Sequence, residues 1–146
     1  MMDTPTPDAT PLRQLRKRPV VDTGTAETIG RVDAVQIDPA RSQVIGILVR
    51  GGDKGFVPLS QVQGIGRDAV TVPSASVLTE VEDALPRDTD AYGSRVLDED
   101  GRDLGKLTDL VIAADGAVQQ VVIDGTTHDR VLHGIGSYAV VVSRSR

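Results

Sequence analysis

The sequence predicts an all-β fold built from two small barrels in tandem. Three observations lead to this prediction: valine dominates the apolar residues, short apolar runs alternate with turn residues, and the same pattern occurs twice in the chain. β-Branched side chains favour pleated, half-buried surfaces. With 146 residues, the chain has room for one ordinary domain or two very small ones that share a core.

The duplication is clearest at two glycine-containing stretches. The nine residues 64–72, GIGRDAVTV, match residues 134–142, GIGSYAVVV, at six of nine positions. Further matches lie upstream in the same order: Thr28–Ile37 with Asp103–Ile112, Val44–Val49 with Val118–Ile123, and Val21 with Val96. Because the length differences fall in loops, we infer an internal repeat.

Each copy is predicted to form five short strands separated by turn residues. The predicted strands lie near 19–22, 28–38, 43–50, 55–58 and 68–73 in the first copy, and near 94–97, 103–113, 117–124, 129–132 and 138–143 in the second. Asp38-Pro39 and Asp115-Gly116 indicate hairpin turns. Pro58–Val62 predicts one helical turn, because proline is favoured at a helix start, and the second copy has no equivalent.

These elements define the expected organisation of the chain. Residues 1–11 are rich in proline and threonine and are expected to be disordered. The first repeat spans 12–73, a linker spans 74–90, and the second repeat spans 91–143. The linker forms either a short helix with Val77, Val81 and Leu85 on one face or an extended tether. Because each repeat is too small to be stable alone, we expect the two barrels to pack about a pseudo-twofold axis.

The stretch beginning at Gly64 also has the G-x-G-x-x-A spacing of a dinucleotide-binding loop. Such a loop needs a following helix, whose N-terminus binds the pyrophosphate. Here the glycines precede strand-like sequence, Val70–Val72, and the chain ends ten residues after Gly136 in the second copy. We therefore interpret both glycine stretches as tight corners that lead into a strand.

Composition argues against several classes of function. The net charge of −5 and the aromatic content of 2% disfavour nucleic-acid binding, which needs a basic surface and stacking side chains. The chain has no cysteine, which excludes disulfides and thiolate metal sites. No apolar run approaches the roughly 20 residues that span a bilayer, and the N-terminus lacks a signal-like apolar segment. We expect a cytoplasmic protein.

No motif predicts a catalytic, cofactor-binding or metal-binding residue, and we expect no enzyme activity and no cofactor. Asp98–Asp103, DEDGRD, resembles a calcium loop but lacks its ligand spacing, so a solvated hairpin turn is predicted. His128 and His133 are five apart, which on one strand would place them on opposite faces. Arg13–Arg18, RQLRKR, is interpreted as a solubilising flank that could also contact phosphates or anionic lipid.

The two copies together resemble the PRC-barrel family. The first copy reads PVVDTGTAETIGRVDAVQIDPARSQVIGILV and then FVPLSQVQGIGRDAVTV, and the second reads RVLDEDGRDLGKLTDLVIAADGAVQQVVI and then RVLHGIGSYAVVV. The resemblance covers about residues 12–73 and 91–143. It implies a small, strongly curved antiparallel barrel of PRC type in each repeat. It also implies a role as an interaction module, the known use of such barrels.

The resemblance and the residues together favour a non-catalytic protein-interaction or scaffold module with an unknown protein partner. Exposed strand edges or the loop Arg50–Gly55 would recognise that partner. Two alternatives remain open: a small ligand-binding protein with a cleft between its barrels, and a peripheral membrane or photosynthetic electron-transport accessory held through Arg13–Arg18. Self-association also remains open.

Overall fold

The structure, a computed structural model, describes residues 9–51, 55–81 and 85–143 and consists mainly of β-strands. The strands are β1 Thr10–Pro11, β2 Pro19–Asp22, β3 Glu27–Asp38, β4 Gln43–Arg50, β5 Phe56–Pro58, β6 Gly64–Ile65, β7 Val70–Val72, β8 Arg95–Leu97, β9 Asp103–Ile112, β10 Val118–Ile123, β11 Thr126–His128, β12 Val131–Ile135 and β13 Val140–Ser143. A one-turn helix, α1, spans Leu12–Leu15. The all-β prediction is confirmed.

The strands form two curled sheets with the same topology. The order is β5-β4-β3-β2-β7-β6 in the first and β11-β10-β9-β8-β13-β12 in the second. In each sheet a parallel pairing joins the first short strand to the last strand of the repeat, with Val20 opposite Val70 and Val96 opposite Val140. All other named strand pairs are antiparallel. The repeated topology supports the duplication inferred from sequence.

Alternating valines explain why these short segments form strands. In β7 the two valines are buried and Thr71 between them is half-buried, and β13 begins with the same pattern. Successive side chains of a strand point to opposite faces, so this alternation places one face in the core. The buried set is almost entirely aliphatic, and Phe56 is its one aromatic member in the described part of the chain.

Most predicted strand positions match the observed strands, with differences at four places. The sequence does not predict the short strand β6. The predicted strand near 129–132 is β12, and β11 precedes it as an additional strand. The predicted helical turn is a 3₁₀ turn at Leu59–Gln61. The expected pairing of Val21 with Val96 is wrong by one residue. The shared sheet registers make Val20 the counterpart of Val96, because the corner after β2 is one residue longer than the corner after β8.

Each compact unit draws on separate stretches of the sequence. Among the described residues, the first barrel comprises 14–38, 44–51, 55–81 and 85–90, and the second comprises 9–13, 39–43 and 91–143. A segment that precedes the first repeat therefore belongs to the second barrel, and a segment that precedes the second repeat belongs to the first barrel. We call these segments the first arm, residues 10–13, and the second arm, residues 85–90.

The second arm belongs to the first barrel and pairs with β3. The Ile37 N–H donates to the Pro86 carbonyl at 2.9 Å, and Gln36 forms an antiparallel bridge with Arg87. Asp88 is 3% exposed, and its carboxylate accepts a hydrogen bond from the Val35 N–H at 3.0 Å. The predicted linker is thus an extended segment with short 3₁₀ turns that contributes to the sheet, and the helical alternative is wrong for its described residues.

Upstream of the second arm, the same segment also covers β5. Phe56 and Thr79 exchange two main-chain hydrogen bonds, of 3.1 and 2.8 Å, and form an antiparallel bridge. Val81 packs against the buried cluster of Ala34, Leu48 and Phe56. The free side of β5 is therefore occupied by the chain that leaves the first repeat.

The first arm belongs to the second barrel and pairs with β9. Thr10 lies opposite Ile112 and Pro11 opposite Val111, so these two residues of the predicted disordered tail form a strand. The rest of that tail, residues 1–8, lies outside the described residues. One Asp109 carboxylate oxygen accepts hydrogen bonds from the Arg13 N–H at 3.1 Å and the Leu110 N–H at 2.8 Å.

The turn between β3 and β4 also completes the second barrel. The Val118 N–H donates to the Ser42 carbonyl at 2.8 Å, and the Gln43 side-chain amide donates to the Asp115 carbonyl at 2.7 Å. Gln43 forms an antiparallel bridge with Ala117. The backbone of this turn is thus hydrogen-bonded to the hairpin between β9 and β10.

Gly30 and Gly105 occupy equivalent positions at β-bulges in the long strands β3 and β9, where one residue of the long strand has no partner in β2 or β8. Both have positive φ, +154° and +124°. A Cβ at Gly30 would lie 2.5 Å from the Arg50 carbonyl oxygen and 2.5 Å from a Val49 methyl group. The long strand can therefore bend this closely over its neighbour only where the side chain is a hydrogen atom.

We predict that Gly30→Ala lowers the free energy of unfolding by about 2–3 kcal/mol, because the new methyl group overlaps main-chain atoms. Urea unfolding followed by circular dichroism would measure the change. Gly134→Ala is the matched control, because no atom lies within 4 Å of the added Cβ. Equal stability of the two variants would contradict the prediction.

We predict that Asp88→Ala lowers the free energy of unfolding by about 1–3 kcal/mol, because it leaves the buried Val35 N–H without its carboxylate acceptor. The exposed carboxylate Asp68 provides the control variant, Asp68→Ala. Chemical denaturation measures both changes. A loss confined to the control, or the same small change in both variants, would show that this hydrogen bond does not hold the second arm.

Candidate functional site

The two glycine corners are β-hairpins. Gly64 and Gly134 begin or lie within strands, and no helix follows either corner in the described chain. The Gly66 N–H donates to the Ala69 carbonyl at 2.9 Å, and the Gly136 N–H donates to the Ala139 carbonyl at 3.0 Å. These corners therefore lack the helix N-terminus of a dinucleotide-binding loop, and the prediction of tight corners is confirmed.

The acidic stretch Asp98–Asp103 forms the predicted hairpin turn between β8 and β9. The Asp98 carboxylate accepts hydrogen bonds from the N–H groups of Asp100 and Arg102, each at 2.9 Å. The Arg102 N–H is the main reason that the pKa of Asp98 lies below its ordinary value. In the first barrel the Asp22 carboxylate caps the equivalent corner through the N–H groups of Gly24 and Thr25. The turn carboxylates thus serve the backbone.

The two histidines lie on different strands, His128 on β11 and His133 on β12, so the expectation based on a single strand does not apply. No group of three or more histidine, aspartate or glutamate side chains with metal-binding geometry occurs among the described residues. Within the same residues, no helix is long and apolar enough to cross a membrane. Part of the loop Arg50–Gly55, residues 52–54, lies outside the described residues.

The basic segment Arg13–Arg18 is divided between two roles. The Arg13 guanidinium donates to the Thr108 carbonyl at 3.1 Å and lies 5.1 Å from the centre of the Tyr92 ring, and Arg18 donates to the Gly66 carbonyl at 2.6 Å. These two arginines therefore stabilise the fold. Arg16 and Lys17 instead line a cleft of about 380 Å³ in the first barrel. The interpretation of the segment as a uniform solubilising flank does not describe this division.

The second barrel has an open strand edge at β11. This strand pairs with β10 on one side and ends its sheet, and no further strand pairs with it among residues 9–51, 55–81 and 85–143. Thr126 and Thr127 are exposed and His128 is half-buried. The corresponding strand of the first barrel, β5, is covered by Thr79. The two barrels therefore differ in whether this edge is available.

Tyr138 is the most exposed large hydrophobic side chain of the described residues, at 71%. It lies in the turn between β12 and β13, and the Arg95 guanidinium lies 4.9 Å from the centre of its ring. An Arg95 nitrogen also lies 3.4 Å from the Tyr138 hydroxyl. The equivalent positions of the first barrel hold Asp68 and Pro19. The arginine thus orders an aromatic side chain that is specific to the second barrel.

The family model described as PRC-barrel domain matches the chain in two segments, residues 7–78 and 87–145. The chain belongs to the PRC-barrel family. Each matched segment contains one complete set of repeat strands, which agrees with the tandem PRC-type barrels predicted from sequence. No curated protein matches the sequence of this PRC-barrel protein.

Sequence reasoning missed two features of this PRC-barrel protein. It did not connect Arg16 and Lys17 with Arg31 and Arg50, which are distant in sequence but line the same cleft. It also did not single out Tyr138, although alignment of the two copies places an aromatic residue there against an aspartate in the first copy. The second feature had a usable sequence signal, whereas the first depends on the positions of β3 and β4.

We predict a pH-dependent effect at Asp109, whose pKa is raised above its ordinary value mainly by burial. The folded protein therefore binds this proton more tightly than the unfolded chain. As pH rises above 3.8, the ordinary value, toward the folded-state pKa, Asp109 loses its stabilising contribution. Relative to Asp109→Asn, the wild-type protein should become less stable over this interval. Urea unfolding across the acidic range tests this. If the free energy of unfolding of the wild type minus that of Asp109→Asn stays constant or rises with pH, the prediction is contradicted.

Proposed function

We propose that this PRC-barrel protein is a non-catalytic protein-interaction or scaffold module that acts in the cytoplasm and binds a protein partner through the second barrel. The observation that carries the proposal is the open edge of β11. An exposed edge presents unpaired main-chain groups, to which an extended segment of another protein can add as a strand. The all-β architecture and the family membership are consistent with this mode of binding.

The geometry of the hairpin determines which main-chain groups face the open edge. The connection between β10 and β11 is a two-residue turn, Asp124-Gly125, in which both residues have positive φ, 49° and 81°. Residues that flank such a turn form a hydrogen-bonded pair, and the next pair does not. Thr126 thus bonds inward to Ile123, whereas the N–H and C=O of Thr127 point away from β10. Thr127 therefore offers one donor and one acceptor to an incoming strand.

Tyr138 and Arg95 supply a second contact for a protein partner. Tyrosine and arginine are enriched among the residues that contribute most to protein interfaces. The Arg95 guanidinium lies over the Tyr138 ring and orders both side chains in the free protein. Binding a partner therefore costs less side-chain entropy. An exposed aromatic side chain is unusual in a chain that has only three aromatic residues. This pair would add side-chain specificity to the main-chain contacts of β11.

Paired substitutions at Thr127 test the proposed strand addition. We predict that Thr127→Pro weakens partner binding by about tenfold or more, because proline removes the outward N–H without breaking a bond to β10. Thr127→Val is the matched control and should bind normally, because it keeps the N–H and has high β propensity. Tagged wild-type and variant proteins would be compared by capture from lysate, followed by affinity measurement with the identified partner. Circular dichroism would verify that each variant is folded.

A second variant, Tyr138→Ser, tests the aromatic contact and should reduce affinity for the same partner without changing stability. Ser137→Ala, at the neighbouring exposed position, serves as its control. If Thr127→Pro and Tyr138→Ser both bind the partner as tightly as the wild-type protein, neither the β11 edge nor Tyr138 binds it. If no protein is captured reproducibly, the interaction role itself fails.

A further inference from the structure

The cleft in the first barrel concentrates positive charge in a protein that is negatively charged overall. Four of its six lining residues are cationic and one is anionic, which leaves an excess of three positive charges, whereas the chain carries a net charge of −5. The lining residues are Arg16, Lys17, Arg31, Val32, Asp33 and Arg50. Because like charges repel at close range, such a concentration favours an anionic occupant.

Two of these cations are held in place by the protein. Arg31 donates to the Lys17 carbonyl at 2.9 Å and thereby supports the turn that follows α1. Arg50 forms an ion pair with Asp33 at 3.1 Å, so the one carboxylate of the cleft is already engaged. Both residues project from the adjacent long strands β3 and β4. The sheet therefore provides one wall of the cleft, from which the Arg50 side chain, 78% exposed, extends into solvent.

The other two cations, Arg16 and Lys17, provide donors that are not used within the protein. Among the described residues, neither side chain forms a hydrogen bond or an ion pair. Both lie in the turn between α1 and β2 and line the cleft together with Arg31 and Arg50. Three guanidinium groups and one ammonium group around one cleft can together donate several hydrogen bonds to an anion.

The backbone at Lys17 does not require a lysine. Lys17 has φ of +71°, a left-handed conformation that glycine adopts more readily than lysine and that Ala26 and Ser42 also adopt. The second barrel has Gly93 at the equivalent position, with φ of +86°. The two residues make matching hydrogen bonds, from the Lys17 N–H to Val32 and from the Gly93 N–H to Leu107, each 2.8 Å long. The fold thus accepts glycine here, and the first barrel keeps a strained lysine that faces the cleft.

Two further cleft positions differ between the two barrels, whereas Arg31 has a cationic counterpart, Lys106, in the second barrel. The second barrel has Tyr92 where the first has Arg16, and Asp124 where the first has Arg50. Since the main-chain scaffold is the same, the positive charge is not a requirement of the fold. The excess of positive charge is confined to the first barrel, since Lys106 and Asp124 balance each other at the corresponding positions of the second.

We propose that this cleft binds a phosphate group. An ion pair with a single carboxylate would neutralise one of the three excess charges, whereas a phosphate or pyrophosphate brings a larger charge and several acceptor oxygens. None of the lining residues is aromatic, so the site recognises the phosphate and not an attached ring. The phosphate comes either from a free ligand or from a lipid headgroup. The proposal does not depend on the protein partner proposed above.

Lys17→Gly is the decisive variant, because it removes the ammonium and at the same time gives the backbone the residue that the second barrel uses. We expect the Tm to remain unchanged or to rise by a few degrees, while pyrophosphate binding weakens by about tenfold. Arg16→Gln should weaken binding similarly. Arg67→Gln, which removes an exposed cation of the same barrel outside the cleft, is the control and should bind as the wild-type protein does.

Two measurements distinguish a free phosphate ligand from a lipid headgroup. The first is isothermal titration calorimetry with inorganic pyrophosphate. The second is co-sedimentation with vesicles of equal parts phosphatidylcholine and phosphatidylglycerol. Pyrophosphate binding that is lost in Lys17→Gly and kept in Arg67→Gln supports a free phosphate ligand. The same pattern with vesicles alone supports a headgroup. The proposal is overturned if neither probe binds, if Lys17→Gly binds as tightly as the wild-type protein, or if Arg67→Gln is weakened equally.

Discussion

The main-chain hydrogen bonds between each long strand and an arm of the chain are the constraint on which the rest of the structure depends. β3 extends beyond its short partner β2, and β9 extends beyond β8. The N–H and C=O groups of these extensions that face away from β4 and β10 would lack partners in the sheet, and an unpaired buried main-chain group is costly. The second arm pairs with β3 and the first arm pairs with β9. Each arm precedes one repeat and completes the sheet of the other.

This shared framework allows the two barrels to carry different surfaces. The bulge glycines, Gly30 and Gly105, and the parallel strand pairs are common to both. The side chains that differ lie in turns and at strand ends, where substitution does not disturb the aliphatic core. The first barrel has acquired a cationic cleft, and the second has an open strand edge with an ordered tyrosine. One duplicated scaffold therefore presents two different surfaces.

The sequence predicts the parts of this fold that depend on local patterns. Alternating valines and turn residues identify most strands, and the duplicated glycine corners reveal the repeat. The arms escape prediction because a pair of residues such as Thr10-Pro11 has no periodicity, and its partner strand lies about a hundred residues away. The cationic cleft could not be predicted from sequence for a related reason, because Arg31 and Arg50 come together only through the pairing of β3 with β4. Tyr138, in contrast, can be identified from sequence, because alignment of the two copies places it against an aspartate in the first copy.

The reciprocal use of the arms has a consequence for how stability depends on concentration. A polypeptide with one such repeat could complete its long strand only with the arm of another molecule, and its folding would follow mass action. Joining two repeats in one chain replaces that encounter by an intramolecular one with a fixed effective concentration. Dilution then no longer separates an arm from its strand, so the tandem protein can fold as a single molecule even when it is scarce in the cell.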